Sequence, residues 1–204
     1  MIKTAGLIAI VSFSLLGCNR VDYLPDVATS VKVVLGETHG SGVHIGGGIF
    51  LTAEHVVTTS TNATLKTSDG NSHKGVVLWT SKEYDVAAVY VNGYKGRASR
   101  LSCSVARVGD KVAAVGNPIK DEFLTTWGRI SALPVKNNKW ESAYRVQIPI
   151  APGSSGGPVF NMRGQVVGIG VGGGLFQVGL GGSAYGIAFV VPSSEICKLI
   201  EKQS

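Results

Sequence analysis

A chain of 204 residues, 44% hydrophobic and 16% charged, has room for one domain or two small ones sharing an interface, and too much apolar material to stay disordered. Its 28 glycines favour tight turns and an all-β chain over a helical one. The formal charge of +6 is spread without any Lys/Arg run longer than two residues, so no nucleic-acid partner is expected.

The first 17 residues read as a leader rather than as part of the fold. Lys3 supplies a positive start, and Leu7 to Leu16 is an apolar run broken only by small hydroxyl residues. It is too short to span a bilayer and has the layout of a secretory signal. The run ends Leu15-Leu16-Gly17-Cys18, which resembles the lipobox of bacterial lipoproteins, in which the cysteine is lipidated and becomes the new N-terminus. Asn19, not Asp, follows. By resemblance to enterobacterial sorting, this implies a lipid anchor at the periplasmic face of the outer membrane. Residues 18–27 then form a tether, and the membrane is a partner through lipid on Cys18.

From residue 28 the chain reads as short β segments. Expected strands are 31–35, 48–52, 63–67, 75–79 and 86–91, then 111–115, 125–133, 144–148, 165–169 and 186–191. Ser68-Asp69-Gly70-Asn71 is a hairpin signal, because Gly, Asn and Asp tolerate positive φ. Helical periodicity appears only at the end, over 193–204. There Ser193-Ser194-Glu195 offers a hydroxyl cap and an early acid, and Ile196, Leu199 and Ile200 form an apolar face. Many evenly spaced strands and one terminal helix predict a sandwich or barrel.

Three segments carry chemistry. Ala151-Pro152-Gly153-Ser154-Ser155-Gly156-Gly157-Pro158 sets a hydroxyl among glycines between apolar runs. Acyl transfer needs a nucleophile on such a turn, with backbone N–H groups facing the developing oxyanion; Gly153 and Ser155 are the natural donors. Thr52-Ala53-Glu54-His55 puts a histidine directly after an apolar run, and Tyr84-Asp85-Val86 puts an acid at the start of a strand. Taken together, His55, Asp85 and Ser155 supply a general base, an orienting carboxylate and a nucleophile.

Gly153-Ser154-Ser155-Gly156-Gly157-Pro158 resembles the nucleophile signature of chymotrypsin-fold proteases, and Thr52-Ala53-Glu54-His55 resembles their histidine segment. More narrowly, the chain is similar to the protease domain of the HtrA/Deg family. Gly40-Ser41-Gly42-Val43, Asp85-Val86-Ala87-Ala88-Val89, Val115-Gly116-Asn117-Pro118 and Gly186-Ile187-Ala188-Phe189 occur in the family's order. The resemblance implies two antiparallel six-stranded Greek-key barrels, over about 28–102 and 103–192, with a C-terminal helix. His55 and Asp85 would lie in the first barrel and Ser155 in the second. It implies a serine endopeptidase acting on unfolded polypeptides, with no cofactor. Two departures stand out. The sequence ends about a dozen residues after Pro192, so no PDZ domain is expected, and Ser154 stands where the family usually has Asn. A second reading remains beside the first: a protease-like envelope protein that binds unfolded chains or a partner without cutting them.

The resemblance also places a specificity pocket. Its base falls six residues before the nucleophile, at Pro149 with Ile150, and its walls fall at Val171, Gly172 and Gly173 and at Gly186, Ile187 and Ala188. None is charged, so aliphatic or small side chains are expected before the cut. The glycine-rich stretch 170–182 is expected to be the adjoining loop. With Cys18 lipidated, Cys103 and Cys197 remain, and an oxidising envelope allows them to pair; in this fold the terminal helix would dock beside the first barrel.

Rival readings fail in context. The serine segment also fits an α/β-hydrolase elbow, but that fold needs a histidine after the serine, and His39, His44, His55 and His73 all precede Ser155. Gly168-Ile169-Gly170-Val171-Gly172-Gly173 matches a dinucleotide fingerprint as a string, without the helix and acid that would give it meaning. No metal is expected: the spacing of His39, His44 and His55 fits no zinc signature, and His39 and His44 read as solvated loop residues.

Overall fold

The computed structural model describes residues 25–178 and 182–203. The leader, Cys18 and most of the tether lie outside the described residues. A single 3₁₀ turn at Val27–Thr29 leads into twelve strands. The first six are β1 (Ser30–Leu35), β2 (Thr38–Gly46), β3 (Ile49–Thr52), β4 (Asn62–Thr67), β5 (Ser72–Ser81) and β6 (Val86–Tyr90). They close into one antiparallel barrel in the order β1-β2-β3-β6-β5-β4. The second six are β7 (Lys111–Gly116), β8 (Leu124–Val135), β9 (Ala143–Gln147), β10 (Pro158–Asn161), β11 (Val166–Val178) and β12 (Gly182–Pro192). They close in the order β10-β11-β12-β9-β8-β7. Helix α1 (Glu54–Val57) follows β3, and helix α2 (Ser193–Glu201) follows β12.

Alternation along the strands divides the interior into three cores. In β6, Ala87 and Val89 join Val31, Val33 and Leu65 inside the first barrel. The intervening Val86 and Ala88 point the other way, into a core shared with Val115, Phe160, Ile169 and Val191 of the second barrel. β3 splits likewise between Phe50 and Leu51, and β12 between Val190 and Val191. Successive side chains of a strand face opposite sides, so a strand buried on both faces reads as an unbroken apolar run. The middle core fixes the two barrels against each other and thereby sets the cleft between them.

Several sequence expectations change. β2 is absent from the expected strands, because Thr38-His39-Gly40-Ser41-Gly42 carries no apolar alternation; its glycines and serine serve close approach instead. β10 is likewise hidden behind the serine turn. The glycine-rich stretch 170–182 is not a loop at its flanks. β11 and β12 continue as one antiparallel ladder from Gly172↔Phe189 out to Val178↔Gly182, and residues 179–181 lie outside the described residues. At α2 the expected hydroxyl cap does not form. The N-cap is Pro192 without a side-chain bond; Ser193 Oγ instead donates to Val166 O at 2.8 Å and ties the helix to β11. The helix packs on β11 and β12, and Ile196 enters the core that the two barrels share. Cys103 and Cys197 are joined, with Cα atoms 5.9 Å apart and a sequence separation of 94. In the chain-entropy account, closing a loop of that length stabilises the fold by up to roughly 4–5 kcal/mol.

Candidate active site

Each of the three chemical residues sits where one element ends and another begins. His55 lies on α1, a single helical turn that starts straight after β3. Asp85 lies one residue before β6 and has φ of +55°, a left-handed conformation uncommon for a non-glycine residue. It turns the carboxylate back under the histidine. Ser155 lies in the turn between β9 and β10.

Asp85 and His55 form a closely coupled pair. His55 Nδ1 is 2.8 and 2.9 Å from the two Asp85 oxygens, and the His55 backbone N–H donates to Oδ1 at 2.9 Å. A carboxylate is acceptor-only, so Nδ1 carries the proton and Nε2 is left as an acceptor. The acid's side chain is 12% exposed and the imidazole 45%, so the acid is sheltered and the base faces solvent. Burial works against the Asp85 charge, but the His55 side-chain and backbone N–H groups, the electrostatic attraction of the imidazole and a Trp140 N–H outweigh it. The carboxyl is held below the usual carboxylate range. Asp69 is engaged within its own hairpin turn, with Thr67 and Asn71.

The serine turn is held by carbonyl anchors. Pro152 O accepts from Ile119 N at 2.8 Å, and Ser154 O accepts from Gly157 N at 3.0 Å. In a trans peptide the N–H points opposite to the C=O. The N–H groups of Gly153 and Ser155 are therefore turned away from these anchors, and neither meets a protein acceptor among the described residues. Ser41, fully buried, is the hub beneath. Its N–H donates to Ser155 O at 2.7 Å and its Oγ to Gly153 O at 2.8 Å, while Asn117 N donates to that Oγ at 2.9 Å. Two glycines here are obligatory. Gly153 has φ of +97°, and a Cβ would stand 2.3 Å from Asn117 O; Gly156 has φ of +86°, and a Cβ would stand 2.1 Å from Ser41 O.

A cleft of about 1110 Å³ brings together His55, Ser155, Gly153 and Pro152. No hydrogen bond joins Ser155 Oγ to His55 among the described residues. His39 lines the same cleft, its Nε2 2.9 Å from Asn117 O. His39 and His44 are thus not solvated loop residues. His44 is 2% exposed, with Nδ1 2.7 Å from Arg97 O, and Nε2 accepts from Gly48 N.

An apolar cavity of about 230 Å³ lies behind the serine turn, lined by Pro149, Ile150, Gly170, Ala188 and Val190 together with Ser154. The exposed Asp121 is its one charged lining residue. The other residues assigned to the pocket from sequence do not line this cavity. Val171 is buried in the shared core, and Gly172 lies against the Trp140 ring. Gly173 is exposed, and Ile187 stands opposite Gly174 in the ladder. Gly186 borders a separate cavity with Pro149 and Trp127.

Sequence reasoning misses Ser41, Ile119 and Trp140. Ser41 sits within a quoted motif without a role. Ile119 acts only through its backbone. Trp140 offers one signal: a lone aromatic in the polar run Lys136-Asn137-Asn138-Lys139-Trp140-Glu141, which is a poor place for an indole unless it docks.

Residues 40–169 match the family description "Trypsin-like peptidase domain". A probable periplasmic serine endoprotease, DegP-like, of Pseudomonas savastanoi pv. phaseolicola is 34% identical over 134 residues, 64% of this chain and 28% of its own length. A putative serine protease HhoA of Synechocystis is 32% identical over 164 residues, 75% of this chain and 40% of its own length. The chain thus spans under half the length of these relatives. Among solved structures, the HtrA-type protease AlgW with tripeptide shares the fold at a TM-score of 0.75 and 24% identity, covering 86% of this chain and 60% of that one. The Rv3671c protease of M. tuberculosis, in an inactive form, does so at 0.69 and 22%, covering 86% of each chain.

Proposed function

The chain belongs to the trypsin-like peptidase family, and on that premise we propose that it is a serine endopeptidase of the cell envelope with His55, Asp85 and Ser155 as its triad. The observation that carries this reading is the orientation of the imidazole. A carboxylate grips Nδ1, so Nε2 is free to accept a proton in the cleft that Ser155 shares.

Ser155 Oγ attacks the scissile carbonyl carbon as its proton passes to His55 Nε2. The imidazolium formed is stabilised by Asp85, which stays ionised. The oxyanion is received by the unpaired N–H groups of Gly153 and Ser155, worth on the order of 3 kcal/mol per donor. The C–N bond then breaks as His55 returns the proton to the leaving amine, and water releases the acyl group by the same steps in reverse order of roles. Catalysis requires the Ser155–His55 bond in the substrate complex, where such bonds commonly tighten. A fluorophosphonate probe tests the reading: covalent label on Ser155 is expected, and an unlabelled protein would favour a binding role without cleavage.

The 230 Å³ cavity is the proposed specificity pocket. Its apolar lining gains about 0.8 kcal/mol per buried methylene, so cuts are expected after Val, Ala, Ile or Leu. The exposed Asp121 is a weak partner for a cation, because surface ion pairs contribute only about 0–1 kcal/mol. Cleavage-site profiling on a denatured protein library should return mostly aliphatic residues, unchanged in Asp121→Asn. A majority of cuts after Lys or Arg that Asp121→Asn abolishes would reassign the pocket.

The relatives' names include periplasmic serine proteases, which supports an envelope location. The lipobox resemblance adds an anchor at Cys18, and two or more acyl chains hold a protein stably on a membrane where one does not. Mass spectrometry of the mature N-terminus should find an acylated cysteine, and Cys18→Ser should leave the precursor unlipidated. An unmodified mature N-terminus would remove the anchor from the proposal.

A further inference from the structure

We propose that Trp140 is a positioning residue of the triad: its indole N–H, reaching across from the second barrel, fixes the Asp85 carboxylate that in turn aims His55. The proposal rests on the serine-peptidase reading of the site.

Asp85 belongs to the first barrel and takes three donors, the His55 backbone N–H, His55 Nδ1–H and Trp140 Nε1–H at 3.1 Å. Among the described residues no side chain other than His55 and Trp140 donates to it. Oδ1 is held by the His55 backbone, whereas Oδ2 has only the imidazole and the indole. Without the indole, rotation of the carboxyl about its own axis would be opposed by the His55 backbone N–H at Oδ1 and, at Oδ2, only by the ring it is meant to aim. A carboxylate that can turn no longer sets the ring plane, and the ring plane decides whether Nε2 faces the nucleophile.

The loop between β8 and β9 is built to deliver that donor. Asn137 Oδ1 accepts from Lys139 N at 2.8 Å and Trp140 N at 2.9 Å, and Asn137 N donates to Trp140 O at 3.0 Å. This closes a small self-contained turn. Glu141 N donates to Glu83 O at 3.0 Å, two residues before Asp85, so the loop clasps the same segment twice. The indole is 6% exposed, with the Phe189 ring 5.0 Å away. At Gly172 an added Cβ would come within 2.9 Å of Trp140 Cη2. That glycine, assigned from sequence to the pocket, instead makes room for the tryptophan. The acid of one barrel is thereby completed by the other, and triad geometry depends on how this loop is seated.

A buried indole needs an acceptor somewhere, so the rival account is that Asp85 merely satisfies Trp140. Trp140→Phe separates the two, since it keeps an apolar ring and deletes the N–H. With rates normalised to sites titrated by fluorophosphonate, kcat should fall about tenfold while KM stays within twofold. The acid limb of the kcat/KM profile should move to higher pH, because a carboxylate that has lost a donor attracts a proton on the ring more strongly. Asn137→Ala, which loosens the turn and leaves the indole intact, should move both quantities the same way by a smaller factor; it decides the matter if Trp140→Phe does not fold. Turnover per titrated site and a pH profile both unchanged, with only the melting temperature lowered, would overturn the proposal and leave the peptidase reading intact. A wild-type protein that takes no label at Ser155 would overturn both.

Discussion

Ser155→Ala should lower kcat by about 10⁶, and His55→Ala by about as much, because the nucleophile and its base act as one unit. The double variant should therefore be little worse than either single one. What survives in all three would come from the backbone amides at positions 153 and 155 and from substrate binding, which the substitutions leave in place. Initial rates on unfolded casein, alongside fluorophosphonate labelling, check this directly. Cleavage by either single variant at near wild-type rate would remove the triad assignment. If instead the two losses multiplied, the residues would be acting separately, which the shared cleft of His55 and Ser155 makes physically implausible.

Much of this site can be read from the chain because its chemistry is local. The serine turn needs glycines at 153 and 156 on account of their positive φ and the carbonyls pressed against them, so the turn announces itself in composition. His55 follows β3 and Asp85 precedes β6, and β3 and β6 are neighbours paired Leu51↔Ala88; two short strand-end motifs are enough to bring the pair together. The strands with one buried face, such as β1 and β4, are legible by alternation. β2 is not, because its residues are chosen for close backbone approach. Gly42 packs under Leu51 O and Ser41 holds the serine turn, and neither leaves an apolar pattern. The extension of β11 and β12 is hidden for the reverse reason: glycine-rich runs look like loops even where the ladder continues. The remaining misses, Ser41, Ile119 and Trp140, act over 112, 33 and 55 residues of separation through one or two hydrogen bonds each. No local pattern encodes a contact of that kind, since it depends on how two barrels dock through their shared core.

Asp85→Asn should lower kcat by about 10⁴ without dismantling the site, and the hydrogen bonds explain the size of that loss. Oδ1 accepts from the His55 backbone and Oδ2 from the Trp140 indole, while His55 Nδ1 lies between them. An amide replaces one acceptor by a donor. If its nitrogen takes the Oδ1 place it opposes the His55 N–H; if it takes the Oδ2 place it opposes the indole. Where the nitrogen faces Nδ1, that ring atom must accept, the ring proton moves to Nε2, and Nε2 can no longer take the proton of Ser155. Removing the indole relieves one of these conflicts. Trp140→Phe in the Asp85→Asn background should therefore cost less in kcat than it does in wild type, a non-additivity that a double-mutant cycle reads directly. The same pair predicts the acid behaviour. Because the folded Asp85 is held below its ordinary value near 3.9, its ionised form contributes stability that is fully present above about pH 4 and is lost as the pH falls toward the folded value. Thermal melts should then show a gap between wild type and Asp85→Asn that is constant at neutral pH and narrows below pH 4. A gap that widens on acidification would mean that the carboxyl is protonated more readily in the folded protein than in the unfolded chain, and the bonds from His55 and Trp140 would not be stabilising its charge.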